Sequence, residues 1–252
     1  MDAPESDNVV GSGNGAFEPY LLVGNLDRMQ LTSIRRDPNI LNMLSDNREK
    51  TLAIHLHKII LNDPLRTGVD ESLTNSFVNV LLQEMSFGTY PLTMNLQESF
   101  FFDIGNTRVS ATPEFSIEKD FSVLFLDEDK HFHGRIGPSN EYGECQIAAE
   151  ALACAYRNFS DVDNVLFEQD QVIYATRVIG TRFTFYKAFI SAQYLRSIAN
   201  GPPQSERVTI LRFPSNAKST RLGLDFADPS IRPTILSMLS NLYTSLVKFS
   251  GL

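Results

Sequence analysis

The sequence predicts an α/β protein in which a mixed central β-sheet is flanked by helices, with a helical extension at its N-terminus. Helical segments, in which apolar residues recur every three or four positions, alternate along the chain with short runs rich in β-branched and aromatic residues. Residues 171–188 alternate between two faces and turn at Gly180, which predicts a β-hairpin. We expect a disordered tail at 1–16, the helical extension at 17–69 and one domain at 70–252.

The composition is that of a folded protein with a substantial core, because 42% of its 252 residues are hydrophobic. No apolar run approaches the roughly 20 residues that cross a bilayer, so no membrane contact is expected. The segment 1–16 is acidic, rich in glycine, serine and asparagine, and lacks the hydrophobic region of a signal peptide. We therefore expect an intracellular protein, either nuclear or cytoplasmic.

The charge and the cysteines restrict the function further. A formal net charge of −8 opposes non-specific binding to nucleic acid, so any such binding would use a local patch of lysine and arginine. Cys145 and Cys154 fall in one predicted helix, about 13 Å apart along its axis, which is too far for a disulfide. Neither cysteine has a histidine partner in the sequence that would indicate a catalytic nucleophile.

Two helices are predicted before the sheet. Residues 45–61 carry apolar side chains at helical spacing, and His55 and His57 in this helix are two residues apart, so they do not face each other as metal ligands. The second helix begins at Asp70 and ends at Gly88. Its Glu84 is in register with the apolar positions, where a carboxylate is paired, binds a cation or extends into solvent at the helix end.

Three short strands are predicted next, at 96–104, 108–117 and 121–130. Glu114 lies in the second strand, and Glu128 and Lys130 end the third on one face of it. A hairpin between these strands would bring Glu114 beside Glu128. Two carboxylates and an ammonium would then be within reach of one divalent cation.

The rest of the chain is predicted to complete the sheet and to cover it. An alanine-rich helix at 141–158 indicates close packing on the sheet, and its Gln146 and Glu150 lie four residues apart on a polar face. After the hairpin we expect a short helix, a strand and a closing amphipathic helix, at 191–199, 207–213 and 229–249.

These residues, in this order, resemble the PD-(D/E)XK nuclease superfamily (restriction-endonuclease-like), whose core is a helix, a three-stranded meander, a helix and a further strand. Pro113-Glu114 stands where the superfamily has Pro-Asp, and Glu128-Asp129-Lys130 stands where it has (Asp/Glu)-x-Lys. Glutamate in place of aspartate extends the first carboxylate by one methylene, which moves the metal site. The stretches that begin at Gly143 and Val178 are similar to those of fungal proteins and of Crinkler-type effector domains.

The resemblance implies a divalent-metal-dependent nuclease that hydrolyses phosphodiester bonds of nucleic acid, with DNA as the expected substrate. Glu84, Glu114 and Glu128 would hold Mg²⁺ or Mn²⁺, Lys130 would orient the attacking water, and Gln146 would contact the phosphate or Lys130. Contacts to the nucleic-acid backbone are expected from four cationic residues, Arg135, Arg177, Arg182 and Lys187.

Three alternatives remain open at this point. The chain could keep the nuclease fold as a binding module without cleavage, or it could be an effector-type protein that contacts a protein partner through its apolar N-terminal segment. A different metal site is also possible on the opposite face of the third strand, where alternation aligns Asp127, Asp129, His131 and His133.

Overall fold

The structure, a computed structural model, describes residues 23–62, 72–130, 139–160, 169–215 and 222–248. These residues form a mixed α/β fold with one seven-stranded mixed sheet, helices on both of its faces and a separate two-stranded hairpin. Within the described ranges, no helix is both long enough and apolar enough to cross a bilayer. The predicted tail at 1–16 lies outside the described residues.

The helices of the first third of the chain are α1 (Arg28–Ser33), α2 (Asn47–Asn62) and α3 (Ser72–Glu84), with a 3-10 helix (Pro38–Met43) between α1 and α2. The start of α1 is fixed by a capping box, in which the side chains of Asp27 and Gln30 accept hydrogen bonds from each other's backbone N–H groups at 2.8 and 2.9 Å. The predicted helix at 45–61 is confirmed as α2.

The strands are β1 (Leu92–Leu96), β2 (Phe100–Ile104), β3 (Thr107–Ala111), β4 (Phe115–Lys119), β5 (Ser122–Lys130), β6 (Gln171–Ile179), β7 (Arg182–Ile190), β8 (Thr209–Phe213) and β9 (Leu224–Asp225). The later helices are α4 (Ser139–Ser160), α5 (Ala192–Ile198) and α6 (Arg232–Lys248). The sheet has the order β1-β4-β5-β6-β7-β8, and β9 also pairs with β7. Among the described pairs, β5 and β6 run parallel and are joined through α4, whereas the other pairs are antiparallel.

The predicted three-stranded meander differs from the structure at its first two strands. Residues 108–117 are not one strand, because β3 pairs with β2 in the separate hairpin, whereas β4 pairs with β1 and β5 in the sheet. Pro113 lies between β3 and β4, and proline has no N–H to donate to a strand ladder, so the chain changes sheets there. The first strand of the meander is β1, which precedes the predicted strand at 96–104. Only Leu92 of β1 is buried, so the alternation of buried and exposed side chains by which a strand is predicted is absent there.

Two hydrophobic cores lie on the two faces of the sheet. On the first face, α1, α2, α3 and α6 pack against strand residues such as Phe125 and Phe183. On the second face, α4, α5 and the β2–β3 hairpin pack against residues such as Leu126 and Ile173. From Val23 onward, the segment predicted as an N-terminal extension therefore shares its core with the sheet.

Arg232 joins the two ends of the described chain. Its side chain is 2% exposed, and its guanidinium donates hydrogen bonds to the carbonyl oxygens of Gly24, Leu26 and Phe226 at 2.8, 2.9 and 2.9 Å. Burial lowers the pKa of Arg232 to about 10, while two nearby aspartates act in the opposite direction. A buried guanidinium that donates to several carbonyls fixes the turn before α1 against the start of α6.

Candidate active site

The backbone register brings together the two acidic residues that the sequence places in neighbouring strands. Phe115, at the start of β4, pairs with Asp127 of β5. The next positions along these two antiparallel chains are Glu114 and Glu128. Since opposite Cα atoms in such a pair are about 5 Å apart, the backbones of Glu114 and Glu128 are neighbours at one end of the sheet.

The acidic motif ends a central strand. The backbone of β5 includes both Glu128 and Lys130, and its parallel pairing with β6 places Glu128 beside Arg177. The side chains of Glu128 and Lys130 lie outside the described residues, as does all of Arg135. The carboxyl ends of parallel strands in α/β sheets are a common place for ligand binding, and β5 presents the motif at such an end.

Hydrogen bonds hold the carboxylate of Glu114 in one orientation. Its Oε2 accepts from Asn75 Nδ2 at 2.8 Å and from Gln97 Nε2 at 2.9 Å. The backbone N–H of Gln97, a residue with a left-handed φ of 50°, donates to the carbonyl oxygen of Glu114 at 3.0 Å. The other carboxylate oxygen, Oε1, accepts no hydrogen bond from the described residues, so one oxygen of Glu114 remains able to bind a ligand.

The sequence analysis did not identify the asparagines of α3, one of which, Asn75, contacts the carboxylate of Glu114. Asn75 and Asn79 are four residues apart on one side of the helix, and the Oδ1 atoms of both are buried without a hydrogen-bond partner in the described part of the chain. Buried polar atoms are normally paired, and unpaired ones mark sites of function or strain. The sequence feature that could have indicated this site is the pair of asparagines, four residues apart, among the apolar residues of α3.

The structure does not bring Glu84 to Glu114. Glu84 lies at the other end of α3, about 13 Å along the helix axis from Asn75, given a rise of about 1.5 Å per residue. Its carboxylate lies 3.8 Å from the guanidinium of Arg48 in α2. The two acidic residues therefore cannot share one metal ion, and Glu84 has the role of a paired carboxylate at a helix end.

Helix α4 places Gln146 at the same level of the sheet as the acidic motif. Asn158 near the end of α4 exchanges two hydrogen bonds with the backbone of Val123, at 2.8 and 2.7 Å, at the start of β5. Gln146 lies about 18 Å before Asn158 along the axis of α4, and Glu128 lies about 17 Å after Val123 along β5. Because α4 runs antiparallel to β5, Gln146 and Glu128 lie toward the same end of the sheet. Gln146 Nε2 donates to Glu150 Oε1 at 2.9 Å, and Glu150 is 1% exposed.

A second polar group lies beside Gln146 under the start of α4. Glu144 Oε1 accepts from Arg212 Nε at 2.9 Å and from Tyr186 Oη at 3.2 Å. Burial raises the pKa of Tyr186, which keeps its hydroxyl protonated as a donor. Arg177 is also buried, next to the backbone of Glu128. The second face of the sheet thus carries guanidinium and carboxylate groups on β6, β8 and the start of α4.

The predicted nucleic-acid contacts do not form one basic surface in the described part of the molecule. Arg177 is 3% exposed. Arg182 Nη1 lies 3.4 Å from the carboxylate of Asp225, which neutralises its charge. The ammonium of Lys187 lies 4.9 Å from the centre of the Phe189 ring, further along β7. These three cations therefore lie in separate environments.

The predicted metal site on the opposite face of the third strand can be described only at Asp127, whose side chain is 1% exposed. In the described ranges, no three histidine, cysteine, aspartate or glutamate side chains are placed to hold a metal ion. The side chain of Asp129 and all of His131 and His133 lie outside these ranges. His57 Nδ1 is 2.7 Å from the carbonyl oxygen of Leu31 in the first core, and burial raises the pKa of the Cys154 thiol well above its usual value.

The sequence matches no model of a known protein family, and no curated protein matches it. Two findings therefore carry the functional interpretation: the adjacency of Glu114 and Glu128, and the polar groups that α3 and α4 add around them.

Proposed function

We propose that the protein is a divalent-metal-dependent nuclease of the PD-(D/E)XK type that hydrolyses phosphodiester bonds in DNA. The observation that carries the proposal is the register of β4 and β5, which makes Glu114 and Glu128 neighbours, with Lys130 further along the same strand. The order α3, β1, β4, β5, α4, β6 supports it, because it follows the helix, meander, helix and strand of the superfamily core, with the β2–β3 hairpin inserted.

The residues at this end of the sheet fit a hard cation. Mg²⁺ and Mn²⁺ prefer carboxylate oxygens, and the carboxylates of Glu114 and Glu128, whose backbones are neighbours at the paired ends of β4 and β5, would supply them. The buried Oδ1 atoms of Asn75 and Asn79, which have no partner among the described residues, lie on α3 on the first face of the sheet. Asn75 also orients Glu114 through its Nδ2, as residues around metal ligands commonly do.

Each residue then has a defined role. Glu114 and Glu128 would hold the cation, and a bound cation would neutralise phosphate charge and lower the pKa of an attacking water. Lys130 orients that water or stabilises the negative charge that develops on the phosphate oxygens. Gln146 is positioned by Glu150 and donates a hydrogen bond to the phosphate.

Cleavage assays on the full chain test this proposal. The substrates are supercoiled plasmid and labelled single- and double-stranded DNA and RNA oligonucleotides, each with Mg²⁺, with Mn²⁺ and with chelator. We expect metal-dependent cleavage of DNA, and a loss of about 100-fold or more in Glu128→Gln and Lys130→Met, because each removes a group that acts on the developing charge. Glu84→Gln is the matched control and should cleave like the wild type. Cleavage that survives chelation, or that is equal in all variants, would contradict the proposal.

One observation favours the second candidate, a nuclease-fold binding module without cleavage. The glutamate at position 114 already accepts two amide hydrogen bonds, which hold its longer side chain toward α3 and Gln97. Titration calorimetry and thermal unfolding with Mn²⁺ distinguish the two functions. A ligand that binds the folded state raises the melting temperature, so the absence of both heat and stabilisation supports the binding module.

Much of the apolar surface in the described part of the N-terminal segment is buried, and only some of it is open to a protein partner. Val23, Leu26 and Leu31 are buried in the first core, where they contact the sheet and its helices. Partner binding through an apolar N-terminal surface would use exposed side chains such as Met29 and Met43, which are 74% and 65% exposed.

A further inference from the structure

Strand β8 forms an open edge of the sheet. Its inner side pairs with β7, from Thr209 opposite Phe189 to Phe213 opposite Phe185, and no described strand pairs with its outer side. Natural edge strands avoid pairing with other chains through prolines, lysines or bulges, and the sequence Thr-Ile-Leu-Arg-Phe has none of these. Its single charge, on Arg212, is directed to Glu144 under α4. Among the described residues, the outer edge is therefore open to another strand.

An apolar surface continues from this edge onto the first face of the sheet. Leu211 and Phe213 are 54% and 43% exposed, and they alternate with Arg212, so both lie on the face opposite α4. Phe189 of β7 and Val172 of β6 pair with each other on the same face and are also exposed. We call Val172, Phe189, Leu211 and Phe213 the β8 patch. Contiguous apolar patches of this kind mark interaction sites.

A groove adjoins the β8 patch. It lies between α6 and strands β7 and β8, has a volume of about 260 Å³, and is lined by apolar side chains that include Phe185, Met238 and Leu242. Lys187 also lines it, with the ammonium 5.3 Å from the centre of the Tyr174 ring. The open backbone edge, the exposed patch and the groove thus form one surface.

We propose that this surface joins two copies of the chain, related by a two-fold axis that passes beside Leu211 perpendicular to the sheet. The two β8 strands pair antiparallel and join the two sheets into one. The strand is complementary to itself in this register, because Leu211 faces Leu211, Thr209 faces Phe213 and Ile210 faces Arg212. No like charges are opposed, as a stable antiparallel pair requires, and a two-fold interface needs such self-complementarity.

Electrostatics are compatible with this interface. The two Lys187 ammonium groups would be about 14 Å apart, three strand spacings of about 4.8 Å, which exceeds the Debye length of about 10 Å at 0.1 M salt. The net charge of −8 on each copy opposes association. Because the interface itself is apolar, dimerisation should strengthen as salt is raised. A short edge and a small patch predict a dimer of modest affinity.

Sedimentation equilibrium of the full chain, from micromolar to submillimolar concentration, tests the proposal. We expect the mass to rise from 28.3 kDa toward twice that value, and more steeply at high salt. Leu211→Lys should remain monomeric over the same range, because it opposes two ammonium groups at the axis. Phe121→Lys is the matched control: Phe121 is 89% exposed in the turn between β4 and β5 and should leave the dimer intact. Thermal unfolding verifies that both variants fold.

A disulfide cross-link tests the register independently. Residues opposite each other across an antiparallel pair have Cβ atoms about 4.5–5.5 Å apart, close to the distance that a disulfide spans. Leu211→Cys, in a Cys145→Ser background, should form a covalent dimer on oxidation, and Phe121→Cys should not. A wild type that stays monomeric at the highest concentration, a dimer unaffected by Leu211→Lys, or equal cross-linking at both positions would overturn the proposal. Binding of an added extended peptide to a monomeric wild type would assign the edge to another occupant.

Discussion

The two faces of the central sheet are covered by different kinds of side chains. On the first face, large rings fill the core, and Phe77 contacts Phe183 and Phe226 edge to face at centroid distances of 6.3 and 5.4 Å. On the second face, alanines of α4 allow the helix to lie close to the sheet, and polar side chains such as Glu150 and Arg177 are buried between them. Large apolar volume stabilises the fold, whereas close helix packing positions polar groups for chemistry.

The largest expected effect concerns Arg232, a buried guanidinium on the aromatic side. Arg232→Ala leaves the carbonyl oxygens of Gly24, Leu26 and Phe226 buried without their donor and opens a cavity. We expect a loss of about 3–5 kcal/mol in the free energy of unfolding, measured by denaturant titration. Arg35→Ala, at an exposed position, is the control and should change it by less than about 0.5 kcal/mol. Equal effects of the two substitutions would show that the first face does not depend on this residue.

A smaller effect is expected from the polar contact that fixes α4. Asn158→Ala removes both hydrogen bonds to the backbone of Val123 and leaves a buried N–H and C=O without partners. We expect a loss of about 2–3 kcal/mol in the free energy of unfolding, again by denaturant titration. Asn200→Ala, an exposed asparagine after α5, should be neutral. If Asn158→Ala were also neutral, the polar contacts of the second face would not contribute to its stability.

The smallest expected effect is a pH dependence on the first face. Burial, and secondarily the charge of Lys58, lowers the pKa of His55 in the folded protein below its usual value of 6.5. The unfolded chain then binds more protons, so this contribution to stability is complete above about pH 6.5 and is lost as the pH falls through the folded pKa. It should be below about 1 kcal/mol, because the ring is only partly buried and solvent screens its charge. His55→Gln should have a flatter stability profile between pH 7 and pH 5, and an unchanged profile would contradict the shift.

The contrast between the faces also explains which parts of the structure the sequence predicts. The hairpin of β6 and β7 alternates along both strands, and the alanines of α4 indicate close packing, so local pattern is sufficient for both. The sequence does not predict the change of sheets at Pro113, because strand partners are chosen by contacts distant in sequence. The sequence does not predict the hydrogen bond from Asn75 to Glu114 either, because these two residues are distant in sequence.

Glu84 illustrates the converse. Its register with the apolar side of α3 suggests a position at the site, but Glu84 lies at the opposite end of the helix from Asn75, which contacts Glu114. Periodicity determines the direction in which a side chain leaves a helix, and it does not determine which end of the helix meets the neighbouring strand.

The hydrogen bonds from Arg232 to the turn before α1 also affect how the chain folds. Its guanidinium lies 208 residues beyond Gly24, the carbonyl of which it binds. During synthesis, the turn before α1 emerges first and its carbonyls remain hydrated until the last helix follows. The N-terminal helices therefore cannot complete their docking until α6 has been synthesised. Such a long separation in sequence between contacting residues slows folding, so this fold is expected to close late and from its two ends.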